Sequence, residues 1–582
     1  MITVPTVQGE EDDQAVPGSA YDANPCYPAV GGVVSIGWAD AVAGLPDPPF
    51  VLAIDGPALL DWDRVVDEVC AALADRGTTA GRVDLRAWFS PWPEVVRATG
   101  SRVLADDPDF DRLASGDLAQ LFGELPATDP PPSGGLVAYG PGAALLTADR
   151  LWYVDLPKRH AEAEVAAGRG HNLGQRDGDG GPTTKRLFYI DWPLLDRHRD
   201  AIAARIDRWV DLQDPGRPAS VDGTTLRASM QALARRPFRT RPTFNTTPWG
   251  GHWGQRRLGF NLDATNTALG YELIAPESGV LVGTKDAAVE LPFQLVVAAH
   301  PREVLGPEVH EVFGTSFPIR FDYLDTVDGG NLSVHCHPRA TYMAEVFGWP
   351  YPQHETYYLM VGGPDGRVFL GLRDDADMAE FHRRAEQSQA GGEPLDIERY
   401  VQVFPAQAHQ LFCVPAGTPH GSGVGNVVLE VSATPYLYSL RLYDWLRRDA
   451  AGQQRPVHVE HAFENLDTRR AGVAVRTDLV QAPRTLRAGD GWHEELLGSL
   501  PEMFFEVRRL VLEPGRLAGD DTAGRFHVLN VVDGDGVEVV PPDGTAHPLN
   551  YAETLVVPAA VGAYELRAVG ARQVRLVKSL VR

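Results

Sequence analysis

The pattern of hydrophobic and polar positions predicts alternating strands and helices in the first third of the chain. Apolar runs typical of buried strands, FVLAIDG at 50–56 and LVAYGPG at 136–142, alternate with amphipathic runs of helical spacing, as at 61–77. Strands that alternate with helices favour a parallel sheet covered by helices. We therefore predict an α/β domain at residues 26–215, preceded by an acidic, aperiodic and flexible tail at 1–25.

From about residue 240 the pattern changes to alternation with a period of two, broken by glycine-rich turns. Two such runs, FPIRFDYLDT at 317–326 and NLSVHCHP at 331–338, predict a hairpin. A polar, helix-prone stretch at 374–392 interrupts the strands, and the strand-and-turn pattern returns near the C-terminus. We predict two β-domains, one at 216–479 that contains the helical insertion and one at 480–582.

The composition is that of a globular protein rich in turns. The 582 residues include 59 glycines and 46 prolines, which favours many short strands over long helices. The net charge of -25 argues against a nucleic-acid or anionic-membrane partner, because phosphate groups in such partners attract lysine- and arginine-rich surfaces. The sequence shows no C-x-x-C pair, signal peptide or membrane-length apolar run, so we predict a cytoplasmic protein without a disulfide framework.

Four residues of the first β-domain have the types and spacing of a metal site. His335 and His337 lie two apart in a predicted strand and therefore project from the same face. Glu355 opens the strand ETYYLMV, and His420 lies in the turn VPAGTPHGSG. Nitrogen ligands with one carboxylate suit Zn, Mn, Fe or Co better than Ca or Mg, so we predict one divalent transition metal ion, zinc first. Glu345 is a rival carboxylate, but its TYMAEVFGW segment has a helical pattern.

The segments around these residues resemble class I mannose-6-phosphate isomerases, which are zinc enzymes of the cupin fold. The runs NLSVHCHP, QHETYYLM, FCVPAGTPHGSG, NVVLEVS and LRLYDWLRR follow the order and spacing of the family's motifs, from about 240 to 480. The resemblance implies that the two β-domains are cupin β-barrels of the jelly-roll type. The family's ligand positions fall on His335, His337, Glu355 and His420.

Two departures from the family's motifs leave the function open. His335 replaces a glutamine ligand, and Gln353 with His354 replaces a Gly-Lys pair beside the ligand glutamate. The leading hypothesis is a metal-dependent isomerase that interconverts mannose 6-phosphate and fructose 6-phosphate. The extra histidine also suits a cupin dioxygenase-type redox enzyme. The missing lysine suits a non-catalytic sugar-binding or regulatory protein.

Aldose–ketose isomerisation through an enediol needs a base, a Lewis acid and a cation for the phosphate. Arg441 matches the arginine of the family's YRLYDW motif and is the candidate for stabilising the enediolate; alternatively, it forms a structural ion pair with Asp444 or Glu430. Glu430 is the candidate base or a partner of the metal ligands. Candidate substrate-binding residues, of which the arginines could instead be surface charges, are Arg320, Arg339 and Tyr443.

The α/β domain resembles, in its order of strand, loop and helix, P-loop nucleoside kinases of the uridine-kinase type. A working P-loop reads GxxxxGK[ST], and its backbone N–H groups and lysine bind phosphates. Here the loop begins at Gly56, and Asp61 and Asp63 stand near the places of the second glycine and the lysine. Carboxylates there repel a triphosphate. We predict a degenerate domain without a functional ATP site. The partner that we expect for the chain is a small sugar phosphate.

The last β-domain lacks the histidines of the first one. Its only histidine in a comparable strand is His527, and VPAAVGAYEL replaces the VPAGTPHGSG turn. One imidazole does not hold a divalent ion against water. We therefore predict that residues 480–582 form a barrel without a metal ion that serves as a scaffold.

Overall fold

The structure is a computed structural model that describes residues 21–391, 393–434, 438–449 and 452–582. Most of the predicted tail, residues 1–20, lies outside the described residues. Its last part packs on the β-domains: the Tyr21 hydroxyl donates to Glu272, and the Asp22 amide donates to Glu553 Oε1 at 2.7 Å. The described residues form a multidomain, strand-rich protein with an α/β unit and two β-units.

The α/β unit is built on one mainly parallel sheet with strand order β2-β8-β7-β6-β3-β5-β4. Its strands, together with β1, are β1 Cys26–Tyr27, β2 Ser35–Ile36, β3 Phe50–Asp55, β4 Ala80–Asp84, β5 Gly135–Tyr139, β6 Arg150–Asp155, β7 Arg208–Asp211 and β8 Ala219–Asp222. Its helices are α1 Trp38–Ala43, α2 Trp62–Asp75, α3 Trp92–Thr99, α4 Lys158–Ala166, α5 Thr184–Arg186, α6 Trp192–Ile202 and α7 Gly223–Leu233. Short 3₁₀ or π segments are Leu85–Trp88, Leu118–Leu121, Ala143–Leu145, Leu187–Asp191 and Ala203–Arg205.

The α/β unit extends past the boundary near residue 215 that the sequence predicts. Strand β8 pairs antiparallel with β7, and α7 packs back on both strands. Strand β3 is buried along its whole length between β5 and β6, as its apolar sequence requires. Within the described ranges, every helix is too short or too polar to cross a lipid bilayer.

The first β-unit consists of two antiparallel sheets that face each other. Their strand orders are β9-β10-β13-β20-β15-β18 and β21-β14-β19-β16-β17, while β11, β12 and β1 form a separate small sheet. The strands are β9 Thr243–Asn245, β10 Leu269–Leu273, β11 Gly279–Gly283, β12 Ala288–Pro292, β13 Ile319–Asp325, β14 Val334–Cys336, β15 Glu355–Val361, β16 Arg367–Leu372, β17 Val401–Pro405, β18 Leu411–Val414, β19 His420–Ser422, β20 Val427–Ala433 and β21 Leu440–Tyr443.

Helices lie around these two sheets, and one of them forms the insertion predicted at 374–392. The helices are α8 Phe293–Ala299, α9 Pro301–Leu305, α10 Pro307–Phe313, α11 Ala340–Tyr342, α12 Met378–Gln389 and α13 Val459–Asn465. Short 3₁₀ or π segments are Gly254–Leu258, Met343–Phe347, Ile397–Arg399 and Val475–Leu479. Helix α12 begins at a good N-cap, because the Asp377 carboxylate accepts from the amides of Ala379 and Glu380.

The second β-unit repeats the strand order of the first. Its sheets run β22-β23-β24-β31-β26-β29 and β25-β30-β27-β28. Strands β24 to β31 correspond in order to β13 to β20 of the first unit, and β22 and β23 correspond to β9 and β10. The first unit has β21 as an additional edge strand. The strands are β22 Arg484–Gly489, β23 Trp492–Gly498, β24 Phe505–Leu512, β25 Leu517–Asp521, β26 His527–Asp533, β27 Gly536–Val540, β28 His547–Asn550, β29 Thr554–Val557, β30 Ala563–Val569 and β31 Val574–Val581, with a 3₁₀ turn at Ala559–Val561.

An ion cluster fills the interior of the second β-unit. The Lys578 ammonium lies 2.6 Å from both Glu494 Oε1 and Asp520 Oδ2, and all three side chains are buried. His527 Nδ1 lies 2.8 Å from the Tyr564 hydroxyl, and burial together with Lys578 lowers the pKa of His527 to about 3. The interior of this unit thus holds a lysine cation between two carboxylates.

The ion cluster predicts a large effect for Lys578→Met. Removing the ammonium leaves two buried carboxylates with only the partly exposed Arg487, Arg508 and the Tyr564 hydroxyl as polar contacts among the described residues, so the free energy of unfolding should fall by about 3 kcal/mol. Urea unfolding followed by tryptophan fluorescence measures this. The matched control is Lys285→Met at an exposed position, for which we expect a change within about 0.5 kcal/mol. Equal midpoints for the two variants would show that the cluster does not stabilise the fold.

Candidate metal centre

The structure brings the four predicted ligand residues together between the two sheets of the first β-unit. His335 in β14 lies opposite His420 in β19, and their ring centroids are 4.3 Å apart. His337 follows β14 directly, and Glu355 opens β15 in the other sheet. One donor atom from each of the four residues lies within 4.8 Å of the others, and all four residues are buried. The rival Glu345 is exposed in the Met343–Phe347 segment.

Main-chain carbonyl groups orient the three histidine rings. Each ring directs Nδ1 at a carbonyl oxygen: His335 at Ser333 (3.0 Å), His337 at Tyr438 (3.2 Å) and His420 at Thr418 (2.9 Å). A carbonyl oxygen accepts only from a protonated nitrogen, so Nδ1 carries a proton in each ring and Nε2 is the nitrogen left to face the cluster. This outer contact is the one that metal-binding histidines commonly make.

Glu355 lies between two of these rings. His337 Nε2 is 2.8 Å from Oε1 and His420 Nε2 is 3.0 Å from Oε2. Burial opposes ionisation, but the two histidines lower the pKa of Glu355 well below its usual value. Gln353 Nε2 donates to Oε1 at 2.6 Å and fixes the carboxylate.

Several atoms of the cluster that could coordinate a metal ion have no hydrogen bond of acceptable geometry within the described ranges. They are His337 Nε2, His420 Nε2 and Glu355 Oε2. Buried polar atoms normally find a partner, and those left without one are candidates for an ion or water. Burial and the neighbouring histidines also lower the pKa of His335 well below its usual value, which keeps this imidazole neutral. Neutral imidazoles with a carboxylate are the forms that bind a metal ion, so the residues present fit a divalent transition metal.

A buried charge network lies beside the four ligands. Arg320 in β13 donates from Nε to Ser432 Oγ at 2.6 Å and also donates to Glu430. Its guanidinium lies 3.9 Å from Glu355 Oε1 and 3.3 Å from Asp322. Burial, Asp322 and Glu355 raise the pKa of Glu430 well above its usual value. Arg320 and Glu430 therefore lie inside the unit, in contact with the cluster and with each other.

Arg441 and Tyr443 occupy different surroundings, although both lie in β21. Arg441 pairs with His335, and its Nη1 donates to the Pro456 carbonyl at 3.0 Å. A register shift between Val334 and His335 places Tyr443 opposite Val334, where it packs on Trp445 with ring centroids 4.9 Å apart. This irregularity is why simple strand parity does not place the two side chains together.

Arg339 is exposed, and its guanidinium donates to the Glu464 carbonyl at 2.9 Å. It therefore lies at the surface beside α13.

Two contributors to the site carry weaker sequence signals. Tyr357 shares the face of Glu355 by strand parity, and its ring centroid is 5.6 Å from that of His420. Tyr438 contributes only a main-chain carbonyl, which no residue pattern predicts.

The fold and the site together define a protein with two β-units of equal topology, of which the first holds a three-histidine, one-glutamate cluster. The chain is similar to proteins named mannose-6-phosphate isomerase. It is 28% identical to that of Streptococcus mutans over 221 residues, which cover 38% of this chain and 64% of the relative. It is 23% identical to the mannose-6-phosphate isomerase ManA of Bacillus subtilis over 341 residues, which cover 57% of this chain and 96% of the relative.

One family model matches the α/β unit, and solved structures match about 60% of the chain. A family described as "Domain of unknown function (DUF8485)" matches residues 37–235, which corresponds to the α/β unit through α7. The crystal structure of the mannose 6-phosphate isomerase from Bacillus subtilis superposes with a TM-score of 0.47 at 18% identity, covering 59% of this chain and 99% of that one. A zinc-bound mannose 6-phosphate isomerase structure superposes with a TM-score of 0.45 at 14% identity, covering 60% and 100%.

The geometry predicts that His337→Ala loses its metal ion. Removing one of four ligands opens the site to water and weakens binding by more than the ~10–100-fold that outer contacts contribute. Elemental analysis after gel filtration should give about one equivalent of metal for the wild type and a small fraction for the variant. The control is His493→Ala at a half-exposed strand position, which should keep its metal. Full occupancy in His337→Ala would refute the ligand assignment.

A second variant tests the histidine that departs from the family's motif. His335→Gln replaces an imidazole donor with an amide oxygen and restores the family's glutamine. We expect the variant to retain one equivalent of metal, because an amide oxygen also coordinates divalent ions. Loss of the metal in His335→Gln, with the fold intact by circular dichroism, would show that this position requires an imidazole.

Proposed function

We propose that the chain is a metal-dependent aldose–ketose isomerase that acts on a sugar phosphate, with mannose 6-phosphate and fructose 6-phosphate as its substrate pair. The observation that carries the proposal is the buried cluster of three inward-directed imidazole nitrogens and one ionised carboxylate. The names of the curated relatives support the choice of substrate. We assign one zinc or similar divalent ion per chain to His335, His337, Glu355 and His420.

The two β-units are, in this proposal, cupin barrels of the jelly-roll type. Their matching strand orders and facing antiparallel sheets support this assignment. When bound in the first barrel, the ion supplies a Lewis acid for the carbonyl and hydroxyl oxygens of the substrate. The carbonyl contacts at the histidine Nδ1 atoms fix the directions of the rings before substrate arrives.

Acid–base and substrate-binding roles fall to residues around the cluster. Glu430 is the candidate for moving the proton between C1 and C2, and its hydrogen bonds with Arg320 and Ser432 hold its carboxyl group in place. Arg441, opposite His335, is the candidate for stabilising the enediolate. The proposed substrate-binding residues are Arg320, Arg339 and Tyr443.

The activity prediction separates the isomerase from its alternatives. Metal-loaded protein should convert mannose 6-phosphate to fructose 6-phosphate in a coupled spectrophotometric assay. Glu355→Gln should lower kcat/KM by at least about 100-fold, since it removes a ligand and the ionised carboxylate. The control is Glu565→Gln at an exposed strand position, which should keep full activity.

Failure of this assay has distinguishable outcomes. The third histidine at position 335 favours a cupin dioxygenase-type redox enzyme as the second candidate, because a three-histidine, one-glutamate set also binds iron. Metal-loaded protein that consumes oxygen with an organic substrate, and does not isomerise hexose phosphates, would replace the isomerase with this alternative. Tight binding of hexose phosphate without turnover would instead support a sugar-binding or regulatory protein.

For the α/β unit we propose a degenerate P-loop domain without a functional ATP site. The Asp55 carboxylate accepts from the amides of Gly56, Gly142 and Ala144 at 2.7, 3.2 and 2.8 Å, so these N–H groups are already engaged. At the start of α2, the Asp61 carboxylate accepts from the Arg64 amide at 3.1 Å. A triphosphate would have to displace one carboxylate and approach the other.

This proposal predicts no saturable heat when Mg-ATP at millimolar concentration is titrated into the full chain in a calorimeter. The physical reason is the repulsion between the triphosphate and the carboxylates of the loop. A sugar phosphate titrated into the same preparation serves as the positive control for competent protein. A micromolar ATP site would contradict the electrostatic argument.

A further inference from the structure

A cleft lies where the α/β unit meets the first β-unit. Its volume is about 330 Å³. This value is at the lower end of the ~300–1,000 Å³ that small-molecule sites occupy. Helices α4 and α6 form one wall with Lys158 and Trp192, and the β-unit forms the other with Glu277 and Trp349. Thr434 lies between the walls directly after β20, whose residue Ser432 pairs with Glu355. The cleft is therefore at the same end of the β-unit as the metal cluster.

Two polar atoms on the walls lack hydrogen bonds within the described ranges. They are Glu277 Oε1 and Thr434 Oγ1, and both are buried. Trp349 Nε1 is also buried and lies beside the Tyr351 hydroxyl without good hydrogen-bond geometry. Buried polar atoms seldom remain without a partner, and these lie around one cleft. Burial and the neighbouring Glu162 raise the pKa of Glu277, so this carboxyl group can both donate and accept near neutral pH.

The two cations that line the cleft, Lys158 and Arg197, each have a protein partner. The Lys158 ammonium lies 2.6 Å from Asp196 Oδ2, and Arg197 Nη2 donates to the Ala114 carbonyl at 2.9 Å. Both cations of the cleft walls are thus engaged, and the walls also present the acidic side chains of Asp196 and Glu277. A phosphate group would meet the Asp196 carboxylate and would have to compete with the Ala114 and Gly116 carbonyls for Arg197. The pairing favours an uncharged ligand.

The remaining walls are aromatic. Phe188 and Trp192 pack with ring centroids 4.4 Å apart, and Trp349 lies among the residues of the opposite wall. Flat aromatic faces contact the C–H faces of sugar rings, while hydroxyl groups at the ring edge reach polar atoms. Aromatic rings bury a large apolar area with a defined orientation, which makes them suitable walls for such a ligand.

We propose that this cleft binds an uncharged polyhydroxy ligand of the monosaccharide class, held by hydrogen bonds to Glu277 and Thr434 and by contact with the partly exposed rings of Phe188 and Trp349. The lining of this ligand site includes none of the four cluster residues, and the site requires the α/β unit for one of its walls. It gives the α/β unit a part in ligand binding that does not involve ATP.

The test uses the full chain loaded with metal and the neutral probes D-mannose and D-fructose. Binding is followed by calorimetry and by tryptophan fluorescence, since Trp192 and Trp349 line the cleft. We expect saturable binding of at least one probe. Thr434→Val and Glu277→Leu should each weaken it by about fivefold, the effect of losing one hydrogen bond. Glu277→Gln keeps the hydrogen-bonding atoms and should bind almost as well as the wild type.

The controls separate the cleft from the metal cluster. Thr485→Val, at an exposed position of β22, should leave sugar binding unchanged. His337→Ala should lose the metal but retain the neutral sugar, because the cleft contains no metal ligand. Sugar binding that disappears in His337→Ala and persists in Thr434→Val would place the ligand at the metal cluster and overturn the inference. The absence of saturable binding of both probes would also overturn it. Sugar binding in the cleft of a protein without isomerase activity would contradict only the proposed function.

Discussion

The first β-unit buries the Glu355 carboxylate among three histidine rings. Glu355 comes from one sheet, and His335 and His420 come from the other, so the cluster joins the two sheets at this end. A buried carboxylate is costly unless a cation compensates it. The histidine rings direct their Nε2 atoms inward and so create the place for such a cation. The four residues that link the two sheets are thus the same ones that we propose as metal ligands.

The two β-units share a strand order but compensate buried charge in different ways. His527 opens β26 as Glu355 opens β15, and Lys578 holds the register position in β31 that Glu430 holds in β20. In the second unit the Lys578 ammonium lies 2.6 Å from the carboxylates of Glu494 and Asp520 and compensates their charge. In the first unit the donors converge on a point that no side-chain cation occupies among the described residues. The chemistry therefore follows from the side chains in the interior, and the shared topology does not determine it.

Residue types, spacing and the resemblance to a family singled out the four residues that the structure brings together. Strand parity relates His335 to His337, whereas His420, which the sequence assigns to a turn, opens β19 and reaches the cluster through pairing of β19 with β14. The positions of Arg441 and Tyr443 could not be predicted in the same way, because a register shift between two strands remote in sequence separates them. The Tyr438 carbonyl and the cleft between the units arise from tertiary packing, which leaves no periodic signal. The same holds for the extent of the α/β unit, where β8 joins the sheet in the antiparallel direction.

The central claim is that one divalent transition metal ion binds at the first β-unit. Anomalous X-ray diffraction from crystals of the purified protein, measured on both sides of the metal's absorption edge, tests it most directly. We expect one strong anomalous peak per chain, about 2.0–2.2 Å from the Nε2 atoms of His335, His337 and His420 and from a Glu355 oxygen. Two results would contradict the account. One is a peak elsewhere, such as at the partly exposed group of His382, Glu386 and Glu460. The other is a fully occupied metal site near His527 with no metal at Glu355.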